Sequence, residues 1–143
     1  MREDLDKKLC ETFPILYSGR KLPMTQTAMC WGFEHDDGWF DIIWDLSEKL
    51  ESINNTKLKD NNIKIVASQV KEKFGTLRFY VNGTTPDVSD EVYKLIDEAE
   101  TASEKTCERC GKEGKLCGKG WVSTKCKECQ TEEKLPDVVL EDA

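Results

Sequence analysis

Ile63-Lys-Ile-Val-Ala-Ser-Gln-Val-Lys-Glu-Lys-Phe-Gly-Thr-Leu-Arg-Phe-Tyr-Val-Asn82 is the stretch on which the fold turns. Two runs rich in β-branched and aromatic residues flank Glu72-Lys-Phe-Gly75, and Gly75 can take the positive φ that a tight reversal requires, so the segment predicts a β-hairpin. With Glu72 opposite Gly75, Val70 stands opposite Leu77 and Ser68 opposite Phe79. That register sends Val66, Val70, Leu77, Phe79 and Val81 to a core-facing side. The other side holds Ile63, Ile65 and Ala67 away from the turn, and Gln69, Lys71, Arg78 and Tyr80 near it.

Working outward toward the N-terminus, Trp39, Ile42, Ile43, Leu46, Leu50 and Ile53 recur at helical spacing, which predicts an amphipathic helix over about 37–54 with Asp36 or Asp37 as its cap. Upstream, Ala28-Met-Cys-Trp-Gly-Phe33 reads as a strand. Residues 3–12 read as a short helix with Leu5 and Leu9 on one face, stopped by Pro14 and followed by a loop through Pro23. On the other side, Pro86 and Asp87 open a helix over about 88–104, with Val88, Val92, Leu95, Ile96 and Ala99 on one stripe and acids in the first turn, where the helix dipole favours them. The expected body, residues 1–104, is therefore α+β: two amphipathic helices on a small antiparallel sheet that includes the hairpin.

The second helix runs into Cys107-Glu-Arg-Cys110, and Cys126-Lys-Glu-Cys129 follows after fifteen intervening residues. Two Cys-x-x-Cys turns at this spacing predict one structural Zn2+ held by Cys107, Cys110, Cys126 and Cys129, in a zinc ribbon over 105–130 packed on the body. Cys117, between the pairs, reads as a free thiol rather than a replacement ligand. The closed four-thiolate set leaves no open position for chemistry, so it accounts for folding rather than activity. The stretch 131–143 is acidic, contains Pro136 and reads as a disordered tail.

Composition agrees with this division. A chain of 143 residues suits one domain with a small appendage that needs a metal because it cannot bury a core of its own. There is no run of about 18 apolar residues to cross a membrane, and the N-terminus lacks the apolar centre of a signal peptide. Seven cysteines, four of them at metal spacing, do not form a secreted disulfide framework, so the reading is cytoplasmic, with Cys10 and Cys30 reduced and buried. The net charge of −7 is uneven: −7 over residues 1–104, +4 over 105–129 and −4 over 130–143. Zinc with four thiolates adds about −2 to the basic block, leaving a weak patch beside an acidic body.

Several of these segments together resemble a known group. Thr27-Ala-Met-Cys-Trp-Gly-Phe-Glu34 followed by Asp37-Gly-Trp39, then Gln69-Val-Lys-Glu-Lys-Phe-Gly-Thr-Leu-Arg-Phe-Tyr80, then Gly120-Trp121-Val122 before the last ligand pair, looks like a set of small uncharacterised proteins encoded by tailed bacteriophages and prophages. The likeness spans roughly residues 1–130. Members of that group often carry His at the last ligand position, which suits zinc equally well. The resemblance implies a phage origin and a bacterial host cell as the setting, and it supplies no catalytic residues.

Outside the cysteines, the candidate sites compete with plain structural roles. His35, the single histidine, stands in Glu34-His-Asp-Asp37 and reads as an exposed loop residue. Glu34, Asp36, Asp37 and Asp41 could hold a divalent ion, although acids at a helix start usually cap and solvate it. Trp31, Phe33, Trp39 and Trp44 should mostly enter the core, with Trp44 off the apolar stripe and so available to solvent. An exposed Trp44 near Lys71, Arg78 and Tyr80 would make a pocket for a flat anionic ligand, by stacking and charge-assisted hydrogen bonds. Against this stands the plain reading that Lys71 and Arg78 pair with acids across the strands.

Three function classes follow. The first is a non-catalytic binding protein with which a phage neutralises a host component, either a host protein or a nucleotide-like small molecule, through Lys71, Arg78, Tyr80 and Trp44. The second is a nucleic-acid adaptor that uses Lys112, Lys115, Lys119, Lys125 and Lys127 on phosphates and Trp121 on a base, against which the acidic body and tail weigh. The third is a metal-dependent phosphodiesterase built on Glu34 and Asp37. The sequence favours the first, with no membrane partner.

Overall fold

The computed structural model describes residues 1–138. In chain order the elements are α1 (Glu3–Thr12), β1 (Phe33–Glu34), α2 (Phe40–Asn55), β2 (Val66–Lys73), β3 (Thr76–Asn82), α3 (Ser89–Ser103), β4 (Lys115–Lys119), β5 (Trp121–Lys125) and α4 (Lys127–Glu132). The fold is α+β. β2 and β3 are antiparallel, and β1 adds to β2 in parallel through Phe33 opposite Val70 and Glu34 opposite Lys71, so the sheet is mixed rather than purely antiparallel.

The hairpin forms where the sequence places it, but in a different register. Lys73 pairs with Thr76, leaving Phe74-Gly75 as a two-residue turn with φ of 53° and 84°. This is the reversal that matches the right-handed twist of the strands. Val70 therefore faces Phe79, and Lys71 faces Arg78. A bulge between Ala67 and Gln69 then shifts the alternation by one residue. Its consequence is that Ile65 and Ala67, expected on the outer face, are fully buried, while Val66, expected in the core, is only half-buried.

One hydrophobic cluster joins the inner faces of α2 (Ile43, Leu46, Leu50, Ile53) and α3 (Val92, Ile96, Ala99) to Val70, Leu77 and Phe79 of the sheet. The free edge of β3 is not left open. Ser103 Oγ accepts from Leu77 N at 2.9 Å and Glu100 Oε2 accepts from Phe79 N at 2.9 Å, so α3 satisfies the amides that a further strand would take. On the other side of the body, Glu51 accepts from the backbone of Ile15 and Leu16, and Asn54 bonds both N and O of Ile65, which ties α2 to the segments flanking it.

Two expected features of the N-terminal half differ. Ala28–Trp31 is a 3-10 turn, not a strand, because Thr27 Oγ1 caps Met29 N and Gly32 leaves with φ 75°. α2 is entered through a second 3-10 turn, Asp37–Trp39, and neither Asp36 nor Asp37 caps it by a side-chain hydrogen bond. Instead Asp37 Oδ1 accepts from Arg2 N at 2.8 Å.

The C-terminal segment is more structured than its composition suggests. Residues 131–138, expected to be disordered, continue from α4 along β4: Gly118 N donates to Pro136 O at 2.7 Å, and Asp137 bridges to Cys117. The remainder of the expected tail, 139–143, lies outside the described residues.

Candidate functional site

β4 and β5 form a short hairpin that brings the two Cys-x-x-Cys turns together. The sulfur atoms of Cys107, Cys110, Cys126 and Cys129 lie within 4.8 Å of one another, and Cys110 and Cys126 Sγ are 3.5 Å apart. Four thiolates on a tetrahedral ion with metal–sulfur bonds of about 2.3 Å would stand roughly 3.8 Å from each other, so the set fits a bound metal. Cys126 is the cap residue of α4, and its Sγ accepts from Cys129 N at 3.4 Å. That amide pulls the Cys126 thiol down to about 7. Burial pushes Cys129 up to about 12, so without a cation the four sulfurs cannot all ionise together. Cys117 is buried opposite Ser123 and lies outside this group, as the spacing implied.

The ribbon is docked on the body by hydrogen bonds from several directions. Gly38 N donates to Glu108 O at 2.6 Å, Asp36 N to Glu108 Oε2 at 3.0 Å, and Trp39 Nε1 to Thr106 O at 2.9 Å. Gly38 must be glycine, since a Cβ there would lie 2.1 Å from Cys107 O. At the sheet end, Thr124 Oγ1 donates to Gly75 O at 2.7 Å. The metal-binding segment thus holds both the start of α2 and the tip of the β2–β3 hairpin.

On the outer face of that hairpin, Lys71 and Arg78 oppose each other in register. None of the ion pairs among the described residues includes Lys71, Lys73 or Arg78. The expectation of cross-strand pairing with acids is therefore not met. Glu34 of β1 lies next in the row beside Lys71 but makes no ion pair with it. Tyr80, one pair further along the same face, is 42% exposed.

Trp44, expected on this face, stands elsewhere. Its ring packs edge-on against Phe13 at 4.8 Å and beside Phe40, with the Lys8 ammonium 5.1 Å above it, so α1 and α2 hold it. Of the other aromatics, Trp39 and Phe33 are core but Trp31 is exposed.

His35 is a correction as well. It is buried between Phe33 and Trp39, Nδ1 lies 2.7 Å from Asp36 O, and Nε2 has no partner. Burial pulls its pKa down to about 4. The carboxylates around it do not converge: among the described residues the four cysteines alone form a metal-type cluster, and Asp37 is paired with Arg2. Cys10 and Cys30 are free and half-buried rather than buried, and burial and Asp6 push the Cys10 thiol up to about 12.

The basic block of the ribbon is largely neutralised. Lys112 pairs with Glu128, Lys115 with Asp137, and Arg109 with Glu132, while Lys125 is buried against Glu133 and Asp36. Trp121, by contrast, is 80% exposed. The residue that sequence reasoning missed is Phe74, a large ring at a positive φ and 73% exposed. Its signal was visible, since a tight two-residue turn ordinarily takes Asn-Gly or Gly-Gly, and this one has Phe-Gly.

The fold and site define an α+β protein with a four-cysteine metal site and an unpaired cationic hairpin face. Comparison with protein-family models, with characterised proteins and with solved structures finds no match.

Proposed function

We propose that this is a non-catalytic binding protein, stabilised by zinc at Cys107, Cys110, Cys126 and Cys129, that holds an anionic host component against Lys71, Arg78 and Tyr80. The observation that carries the reading is the cross-strand Lys71–Arg78 pair without a carboxylate partner in a chain of net charge −7. Like charges directly opposite one another cost roughly 0.2–1 kcal/mol, a cost that an anionic partner on this face would offset. In the phage setting that the sequence resembles, the bound component would be one that the phage gains by neutralising, a host protein or a nucleotide-like molecule.

Two observations support the metal as zinc: an all-sulfur donor set and four sulfurs all within 4.8 Å of one another, which suit a d10 ion of borderline softness. No group of carboxylates among the described residues supports the phosphodiesterase alternative. The ribbon adaptor keeps Trp121 in its favour but loses Lys125, which is 5% exposed.

The test is capture from bacterial extract by the metal-loaded protein and by Arg78→Glu, followed by native mass spectrometry of the complexes. Loss of the bound partner in Arg78→Glu, with stability changed by no more than about 0.5 kcal/mol, is the expected result. An equally competent Arg78→Glu protein would sink the assignment of this face.

A further inference from the structure

We infer that the Phe74 tip and the sheet face behind it bind single-stranded nucleic acid, with phosphates on Lys71, Lys73 and Arg78 and bases stacked on Phe74 and Tyr80. This deepens the binding reading above and rests on it. The starting point is Phe74. Its φ of 53° is a conformation that L side chains rarely adopt, its ring is 73% exposed, and so neither turn geometry nor core packing accounts for a phenylalanine there. The turn is nonetheless held firmly, by Glu72 Oε2 accepting from Gly75 N at 2.7 Å and by Thr124 Oγ1 donating to Gly75 O at 2.7 Å. The ring is presented outward on a fixed support.

Cations converge on the same tip. Lys73 carries its ammonium to 5.5 Å from the Phe74 ring centroid, and Arg78 Nη1 donates to Thr76 Oγ1 at 2.9 Å, which lays the guanidinium along β3 toward the turn. Three cations without an ion-pair partner among the described residues, Lys73, Arg78 and Lys71, therefore lie between two exposed rings, Phe74 at the turn and Tyr80 on β3. A single strand of nucleic acid offers phosphates to such a row of cations and bases to the rings at its two ends, and base–aromatic stacking needs no particular sequence. An acidic peptide would satisfy the cations and leave the ring faces without flat partners.

Shape favours a polymer over a mononucleotide. Small ligands bind in concave sites that bury most of their surface. Five of the best-formed clefts among the described residues, of about 160 to 690 Å3, are lined by none of Lys71, Arg78, Tyr80 or Phe74. Thr76 and Tyr80 stand four residues apart on β3, roughly 13 Å at the rise of a strand, a span suited to a short run of nucleotides. The acids near this face are Glu34, in register beside Lys71, Glu72, whose carboxylate is engaged by Gly75 N at the turn, and Glu100, whose carboxylate is engaged by Phe79 N. Charges farther than about 10 Å are screened at 0.1 M salt, so the net −7 does not forbid the contact.

The experiment is fluorescence anisotropy of the full, metal-loaded chain with labelled mixed-sequence RNA and DNA single strands of about 12 nucleotides, within the site sizes of single-strand binders. Saturable binding is expected, falling about 20-fold between roughly 50 and 200 mM salt for three phosphate contacts. Phe74→Asn, which suits the turn and so preserves the fold, should weaken binding roughly 5- to 150-fold, the range for removing one stacking ring, with no fall in thermal midpoint. Absence of saturable binding below about 100 µM, equal affinity in Phe74→Asn, or equally tight binding of a duplex overturns the inference. If instead a mononucleotide or an acidic host protein is held in an Arg78-dependent manner while single strands are ignored, the inference falls and the binding reading stands. Indifference of every captured partner to Arg78→Glu brings down both.

Discussion

Two residues carry measurable strain or burial that a reader of the sequence would not assign to them. Phe74 adopts a left-handed conformation that costs a side-chain-bearing residue about 1–2 kcal/mol. Phe74→Asn should therefore raise stability by about 0.5–1 kcal/mol, read from chemical denaturation at neutral pH, and a loss of stability would show that the ring packs usefully where it stands. His35 makes a pH prediction. Burial lowers its folded pKa to about 4, against 6.5 in the unfolded chain, so the unfolded state binds the proton first as pH falls. Its contribution is complete above about pH 6.5 and is lost progressively down to about pH 4, up to roughly 3 kcal/mol. In His35→Asn the stability difference between pH 7 and pH 5 should shrink by more than half; an unchanged slope would place the titration elsewhere.

At the scale of elements, the edge of β3 shows how helix and sheet depend on one another. Ser103 Oγ accepts the buried Leu77 amide and donates to Glu100 O at 2.6 Å, so a single hydroxyl closes α3 and the strand edge together. Ser103→Ala leaves a buried donor unpaired and should cost about 1–3 kcal/mol in denaturant unfolding. A change within 0.3 kcal/mol or so would mean that water replaces the hydroxyl. The bulge between Ala67 and Gln69 belongs to the same scale. It lets Ile65 and Ala67 enter the core beside Val70 although strict alternation would place them on opposite faces.

For the whole molecule, the four-cysteine segment acts as a staple between segments far apart in sequence. Glu108 and Thr106, flanking Cys107, receive hydrogen bonds from Asp36, Gly38 and Trp39, and Thr124 holds Gly75. A Cys107→Ser/Cys110→Ser protein should lose its metal and expose residues 105–138 to trypsin, whose sites there include Arg109 and Lys112, while the 1–104 body resists. Mass spectrometry of the digest reads both parts at once. A metal-free wild-type chain whose ribbon stays protease-resistant would refute the stapling role.

The sequence by itself determined what depends on local pattern. The hairpin announces itself by Gly75 between two β-rich runs, α2 and α3 by stripes at helical spacing, and the metal centre by two Cys-x-x-Cys turns whose ligands sit in pairs on the chain. Register, exposure and partnership were decided only by tertiary structure, because each depends on groups remote in sequence. Lys71 faces Arg78 rather than Thr76 because the two-residue turn is Phe74-Gly75 rather than Lys73-Phe74, and the faces of Ile65, Val66 and Ala67 are set by a bulge that no local propensity encodes. His35 reads as a loop residue among acids until Phe33 and Trp39 close over it. The stretch 131–138 reads as an acidic tail until β4 offers it Gly118 N and Cys117 as backbone partners. Trp44 is drawn to α1 because Phe13, thirty-one residues earlier, supplies its packing surface. Burial and pairing are properties of what the folded chain brings together, and one-dimensional spacing reports them only where the partners are neighbours along the chain.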